Sequence, residues 1–549
     1  MQPLNIKTPF AERSYQFASL ILILLVPSIL IAQSVQLEST NLPLIILDTY
    51  GEEIEEDARI MADMMVISNG SDLRNTPLDP PTDYEGLVSI EIRGASSASF
   101  PKKSYSFETQ DGSGENLNIK LLGMPKENDW ILYAPYSDKT LIRNKLAFKL
   151  SLDQGHYAPR SKYCELILND DYVGIYVLME KIKIDGDRVN ITRLEVDDVE
   201  GDALTGGYIL EVDRDDGDSG WSSLGGNNIY YHHPKADQLE PEQRAYIRDF
   251  ITDLENSLSG LNYKEPVLGY RSWIDVETAI DYLLVQDLTK NSDAMRYSTY
   301  MYKDRDSKDG LLKLGPVWDF NIAFGNNNRP KWWSSTGWGR KNPLSPYLFW
   351  WDRLMSDSSF TEQYEMRWLQ LRTTSWDLQS ILNYIDSNAV LLDEAQQRNF
   401  ERWPILDNKI FPNPQVYYTY EAEIEHLKQW ITERIAWIDS NISTVYDPSG
   451  GDPDPFSKWG SLVVPNPFLE LATIHFRIEE SSYTELAIHN IRGQTISRLL
   501  DDQIPAGLHA VDWLAIDRNG RSVPSGVYLY TLRVNGKLEA SGKLTRLPR

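Results

Sequence analysis

Apolar and polar positions alternate with the period-two rhythm of strands through Leu44–Asp48, Leu87–Arg93 and Lys103–Glu108. Two further runs, Lys162–Leu168 and Tyr172–Glu180, meet at Asn169-Asp170-Asp171, which reads as a hairpin. The pattern predicts an antiparallel sheet. Within it, Lys139–Leu150 sets Ile142, Leu146 and Leu150 on one helical face, so a single helix is expected to pack on that sheet. From about residue 240 the period lengthens to that of helices. Asp275 stands as an N-cap before Val276, Ala279, Ile280, Leu283, Leu284 and Leu288, which recur at helical spacing. After the polar break Lys290–Asp293, Arg296–Lys303 and Leu311–Val317 read as two strands joined by a turn, closed by Trp318-Asp319-Phe320-Asn321. A β-rich part, to about residue 240, thus precedes a helical part.

Pro, Gly and Asp crowd Tyr446–Phe456, a composition that holds neither a helix nor a central strand. It marks a linker, 446–458, between a large domain, 35–445, and a terminal one, 459–549. The terminal stretch alternates in short segments such as Glu485–Asn490 and Val527–Arg533, with turns at Gly493, Gly507, Gly520 and Gly526, the rhythm of a small β-sandwich. It resembles the C-terminal sorting domain of the type IX secretion system of Bacteroidetes-like bacteria. The resemblance lies in Val464–Phe468, Asn490–Gly493, Ala506–His509 with Asp512-Trp513, Ser525–Tyr530 and Lys543–Arg546. It implies that the secretion machinery is a partner and that the chain is released or attached at the cell surface.

The other end agrees with export. Residues 1–34 combine Lys7 and Arg13, an apolar run from Phe17 to Ala32 broken by Pro27, and a small-residue cleavage site at Ala32-Gln33-Ser34, the pattern of a signal peptide. Sixteen apolar residues with an internal Pro fall short of the ~20 that span a bilayer, and no later run approaches that length, so no transmembrane helix is expected in the mature chain. The formal charge of −26 argues against nucleic acid as a partner. The lone cysteine, Cys164, lies in a strand pattern and reads as a small buried hydrophobe.

Helix, loop with Asp293, hairpin, then Asp319-Phe320 is the order in which protein kinases deploy a catalytic carboxylate and a metal-binding one. Phosphoryl transfer needs both in one cleft, with a cation reaching the phosphates. In the strand expected from Lys103, alternation puts Lys103 on the inward face with Tyr105 and Phe107 and leaves Lys102 facing solvent. These residues sit within blocks that resemble the CotH (spore coat protein H) family of secreted atypical kinases: Glu91–Tyr105, Leu122–Pro125 with Asn128–Trp130, Leu141–Asn144, Tyr172–Lys181, Gly206–Tyr208 and Gly315–Phe320. The resemblance covers about residues 40–440. It implies an α+β fold, two-lobed and kinase-like, followed by the small β-sandwich, and an enzyme that uses ATP with Mg²⁺ or Mn²⁺ to phosphorylate Ser or Thr of exported proteins. It further implies Asp319 as metal ligand, Asp293 as catalytic carboxylate, Lys103 as phosphate-contacting lysine, and Arg93, Ser96 and Ser97 as a loop over the phosphates.

Glu180 either pairs with Lys103 or lies at the hinge where adenine binds, and Arg143 with Asn144 either pairs with a carboxylate or helps to form the cleft. Two features depart from ordinary kinases. No Gly-x-Gly-x-x-Gly loop lies between 87 and 105, which passes phosphate gripping to Arg, Ser and backbone N–H groups. Five residues after Asp293, where a kinase places a metal-binding Asn, stands Ser298, leaving Asn321 or Asn291 as the second metal ligand. The alternative is a non-catalytic kinase fold used for adhesion or glycan binding. The tryptophans Trp332, Trp333, Trp338, Trp350 and Trp351 read first as core rings and second as sugar-stacking platforms. No zinc spacing and no Gly-x-Ser-x-Gly elbow occurs, and the acidic run Asp213–Asp218 is out of register with a twelve-residue Ca²⁺ loop, which makes it a solvated loop.

Overall fold

The computed structural model describes residues 35–70, 73–214, 220–260, 262–294, 296–341, 349–445, 461–464, 468–478 and 480–547. The expected signal peptide and the Pro/Gly/Asp linker lie outside the described residues. Strands β1 (Leu44–Asp48), β2 (Ile60–Ile67), β3 (Tyr84–Arg93), β4 (Ser104–Gln110) and β5 (Asp129–Tyr133) lead to helix α1 (Arg143–Asp153), and the chain returns as β6 (Ser161–Leu168) and β7 (Asp171–Glu180). The turn between β6 and β7 uses Asn169 and Asp170 at φ +51° and +62°, the left-handed pair that a two-residue hairpin demands.

The seven strands do not form an open antiparallel sheet. They close into a barrel, β1-β2-β3-β4-β5-β7-β6, because β1 pairs parallel with β6, Leu44 opposite Glu165. The closing pair joins segments 121 residues apart, a contact that local periodicity does not contain. Alternation along β7 then sorts its side chains: Tyr176 and Leu178 fill the barrel with Phe107 and Trp130, while Ile175, Val177 and Met179 face outward into the larger core that also takes in Leu146 and Leu150 of α1. β7 is buried on both faces and therefore reads as a nearly continuous apolar run.

A short helix α2 (Gly201–Leu204) leads to β8 (Tyr208–Val212), β9 (Trp221–Ser222) and β10 (Asn228–His233), followed by α3 (Pro241–Ser259), α4 (Val276–Thr289), β11 (Thr299–Lys303) and β12 (Leu312–Leu314). The strands form a second sheet, β12-β11-β8-β10-β9. Asp275 caps α4 as expected, accepting from the Thr278 amide at 3.0 Å. Lys290 ends the helix at φ +48°, and its buried ammonium donates to the carbonyls of Lys331 (2.8 Å), Ser334 (2.9 Å) and Thr336 (2.6 Å). Those bonds pin the tryptophan-rich stretch against α4.

Helices α5 (Trp350–Met355), α6 (Ser358–Arg372), α7 (Leu378–Arg402) and α8 (Tyr420–Asn441) complete this part. Trp332, Trp350 and Trp351 are buried, Trp338 packs edge-on against Trp437, and Trp333 is half-exposed, so the cluster is chiefly core. Cys164 is fully buried, and burial pushes its thiol up to about 12.

The last strands are β13 (Ser461–Val464), β14 (Ala472–Ile478), β15 (Ser482–Asn490), β16 (Thr495–Ile504), β17 (Gly507–Trp513), β18 (Gly526–Val534) and β19 (Lys537–Arg546). They make a three-stranded sheet, β13-β14-β17, and a four-stranded one, β16-β15-β18-β19. Phe476 and Trp513 from the first sheet share a core with Leu486, Tyr528 and Leu544 from the second. Gly493 and Gly520 take φ of +76° and +74° at the turns read from the sequence. Among the described residues no helix is long and apolar enough to cross a membrane.

Candidate active site

A cavity of about 370 Å³ opens where the end of β3, the helix α1, the strand β8 and the loop after β12 converge. Eight of the residues singled out in the sequence line it: Arg93, Ser96, Ser97, Asn144, Asp293, Ser298, Asp319 and Asn321. Its size falls in the range of small-molecule sites, roughly 300–1,000 Å³.

The loop over the cavity depends on glycine at one point. Gly94 sits at φ +108°, where a Cβ would meet Ser97 Oγ at 2.0 Å, so only glycine lets the chain turn tightly enough to bring Ser96 and Ser97 onto the wall. Arg93 precedes it, its guanidinium 5.8 Å above the Trp318 ring. Burial lowers the Arg93 pKa, and the nearby Tyr300, Asp319, Asp129 and Glu211 oppose that shift.

Lys103 is not on this wall. Its ammonium donates to the Ala98 carbonyl at 2.6 Å and so braces the loop from behind. The expected orientations of the two lysines are reversed in part: Lys102 is 2% exposed, bonded to the Ile175 carbonyl (2.6 Å) and Asn399 Oδ1 (2.7 Å). The physical reason is that β4 begins at Ser104, after a turn of 3₁₀ helix at Ser97–Ser99, so strand alternation does not reach back to either lysine. Glu180 is also elsewhere. It is wholly buried and ion-paired with Arg160 (3.0 Å) and Arg188 (3.1 Å), not with Lys103. Arg143 lies off the cavity as well, buried against Asp138 at 2.5 Å, while its neighbour Asn144 reaches the wall.

The two carboxylates kept from the sequence differ sharply. Asp293 Oδ1 accepts from Arg329 (3.0 Å) and Arg296 (3.2 Å), with Arg214 at 3.9 Å from its other oxygen. Among the described residues the Asp319 carboxylate has no such hydrogen bond, and burial followed by the charge of Asp293 pushes it up to about 6, against the opposing pull of Arg93 and Arg214.

Sequence reasoning missed a second pair, Glu211 and Asp213, on the same wall. Burial, together with Glu211, pushes Asp213 up to about 7. Glu211 is held below its ordinary value despite burial, chiefly by its bond with His232. Asp213 Oδ2 accepts from the amide (3.3 Å) and hydroxyl (3.4 Å) of Ser298, the residue standing where a kinase carries Asn. The available signal was period two: Tyr208, Leu210 and Val212 face the core, which sends the alternate positions of β8 the other way.

Among the described residues no three His, Cys, Asp or Glu side chains converge to hold a metal by themselves. The oxygen donors of Asp319 and Asn321 nonetheless fit a hard divalent cation of the Mg²⁺ type, which takes few protein ligands and completes its shell with phosphate oxygens and water. Asn291 is committed otherwise: its amide donates to the Asp319 carbonyl (2.9 Å) and accepts from the Asp293 amide (3.2 Å).

Comparison with known proteins bears on what this wall belongs to. The family model described as CotH kinase protein matches residues 90–438, more than half of the chain. The chain belongs to the CotH kinase protein family. Every cavity residue named above lies inside that match. The inner spore coat protein H of Bacillus subtilis (strain 168) is 24% identical over 249 residues, covering 44% of this chain and 59% of that protein. The match thus spans less than two thirds of the relative's length. Among solved structures, the Helicobacter pylori proinflammatory kinase CtkA aligns over 60% of this chain and 94% of its own, at 10% identity and a TM-score of 0.22. The Pseudomonas fluorescens alkylpurine DNA glycosylase AlkC aligns over 37% and 56%, at 14% identity and a TM-score of 0.12. Both superpositions are too loose to argue from.

Proposed function

We propose that this CotH-family chain is a protein kinase that transfers the γ-phosphoryl group of ATP to a Ser or Thr hydroxyl of an exported protein. The observation that carries the reading is the shared cavity in which Asp293 and Asp319 face Arg93 and the Ser96-Ser97 loop. Family membership supports the reaction class. Asp319 with Asn321 would hold Mg²⁺ or Mn²⁺, which would supply positive charge against that of the phosphates. Arg93 and Arg214 supply fixed positive charge on the protein side, a task that Lys103 performs only indirectly through the loop it braces. Asp293, steered by Arg296 and Arg329, orients the acceptor hydroxyl.

The kinase-like division into two lobes, the C-terminal β-sandwich as a type IX sorting domain, and location outside the cell belong to the same proposal. Their support is the β-to-helical order of the chain, the two terminal sheets with a common core, and the sequence signals at both ends. A non-catalytic adhesion or glycan-binding protein is the second reading, favoured by Ser298 in place of the metal-binding Asn.

Incubating the full chain with labelled ATP, Mg²⁺ or Mn²⁺ and an exported-protein extract separates the two. Label on protein that disappears in Asp319→Ala supports the kinase. A folded protein that neither binds nucleotide nor transfers label supports the scaffold.

A further inference from the structure

Asp319 has a left-handed backbone, φ +59°, a conformation that Asp tolerates better than most residues with a Cβ. Two asparagines hold the peptide that follows it. The next peptide donates its Phe320 N–H to Asn144 Oδ1 at 2.6 Å, and the Asp319 carbonyl accepts from Asn291 Nδ2 at 2.9 Å. The Phe320 ring is fully buried, so the peptide that follows Asp319 is fixed at both ends.

Asn291 has a second task. Its Oδ1 accepts the Asp293 N–H at 3.2 Å, so one short side chain ties together the two segments that carry the cavity's carboxylates. Asn291 is 3% exposed and Asn144 7%, which leaves little water to replace either bond. The geometry points to Asn291 and Asn144 as positioning residues that set the spacing and aim of Asp293 and Asp319, with Asn291 as the mechanical link between them.

This inference rests on the kinase reading for its functional consequence but not for the link itself, and the test uses that difference. Amide hydrogen exchange is followed peptide by peptide on the full chain without ligand. In Asn291→Ala the segments around Asp293 and around Asp319 should both exchange at least about tenfold faster, whereas Asn144→Ala should loosen only the Asp319 segment. β7 serves as the internal reference and should not change. If Asn291→Ala does not yield folded protein, Asn291→Asp decides: it keeps the acceptor for Asp293 N–H, drops the donor, and should loosen the Asp319 segment alone. Unchanged exchange at Asp319 in the Asn291 variant overturns the link.

Kinetics supply the second readout. In a chain that transfers phosphate, Asn291→Ala should lower kcat about thirtyfold or more with KM for ATP within about threefold, and Asn144→Asp, which keeps the acceptor, should recover most of what Asn144→Ala loses. Coupled loosening in a chain whose parent transfers no phosphate keeps the link and removes the kinase reading. Full transfer by Asn291→Ala removes the link's role and keeps the kinase.

Discussion

Glu180 is wholly buried and Asp319 is partly buried on the cavity wall of the same fold, and the two acidic side chains are treated in opposite ways. Glu180 accepts from Arg160, Arg188, Tyr157 (3.1 Å) and the Arg160 amide (2.9 Å), so its charge is paired on every side. Among the described residues Asp319 receives no such bond; it faces a second carboxylate and is pushed up to about 6. A buried charge that is fully paired holds structure together, and its field is cancelled locally. One that is left unpaired costs stability and keeps its field directed into the cavity. The contrast predicts that the two sites respond differently to the same kind of substitution.

The largest effect is expected at the paired site. Glu180→Ala takes from the buried Arg188 its one fully buried carboxylate partner, leaving it Asp185 at 3.3 Å, and should cost on the order of 3 kcal/mol in denaturant unfolding. Asp319→Asn should do the reverse. Its folded-state value of about 6 lies above the ordinary 3.8, so its ionisation opposes folding, a cost absent below about pH 4 and complete above about pH 6. Removing that charge should stabilise the fold at neutral pH by on the order of 2–3 kcal/mol, seen as a higher melting temperature.

Between these extremes lies Arg93, whose guanidinium faces the cavity with no carboxylate partner of its own among the described residues. Arg93→Ala should weaken nucleotide binding about ten- to a hundredfold in a calorimetric titration, with little change in stability. A milder effect is expected from acid. The metal-holding form of Asp319 is the ionised one, so the affinity of the nucleotide-free chain for Mg²⁺ should weaken as the pH falls below about 6, read by calorimetric titration. The smallest is Lys103→Met, which removes only the brace on the Ala98 carbonyl and should change transfer by less than about threefold. A thousandfold loss there would restore the lysine to the phosphates and break the contrast drawn here.

Much of this was legible in the chain because it is local. Hairpin geometry followed from Asn169-Asp170, the start of α4 from Asp275, and the loop-hairpin-Asp order brought Asp293 and Asp319 to one cavity. What escaped depends on distance or on where an element begins. The barrel closes through Leu44 and Glu165, which no local pattern links. Lys102 and Lys103 precede β4, so a strand rule misplaced both. Glu180 finds Arg188 across a loop, and Arg143 finds Asp138 within the turn before α1, pairings that strand and helix periods do not encode. Glu211 and Asp213 were hidden differently, since Asp213 opens an acidic run that reads as solvated when the side of β8 opposite Tyr208, Leu210 and Val212 is not followed past the strand's end.

The most direct test of the central claim is calorimetric titration of a non-hydrolysable ATP analogue into the full chain and into Asp319→Asn, each with Mg²⁺ and with chelator. The account predicts binding that requires the cation in the parent and is lost in Asp319→Asn, although that variant is at least as stable as the parent. Equal binding by the two proteins, or a folded parent that takes up no nucleotide with the cation present, would contradict it.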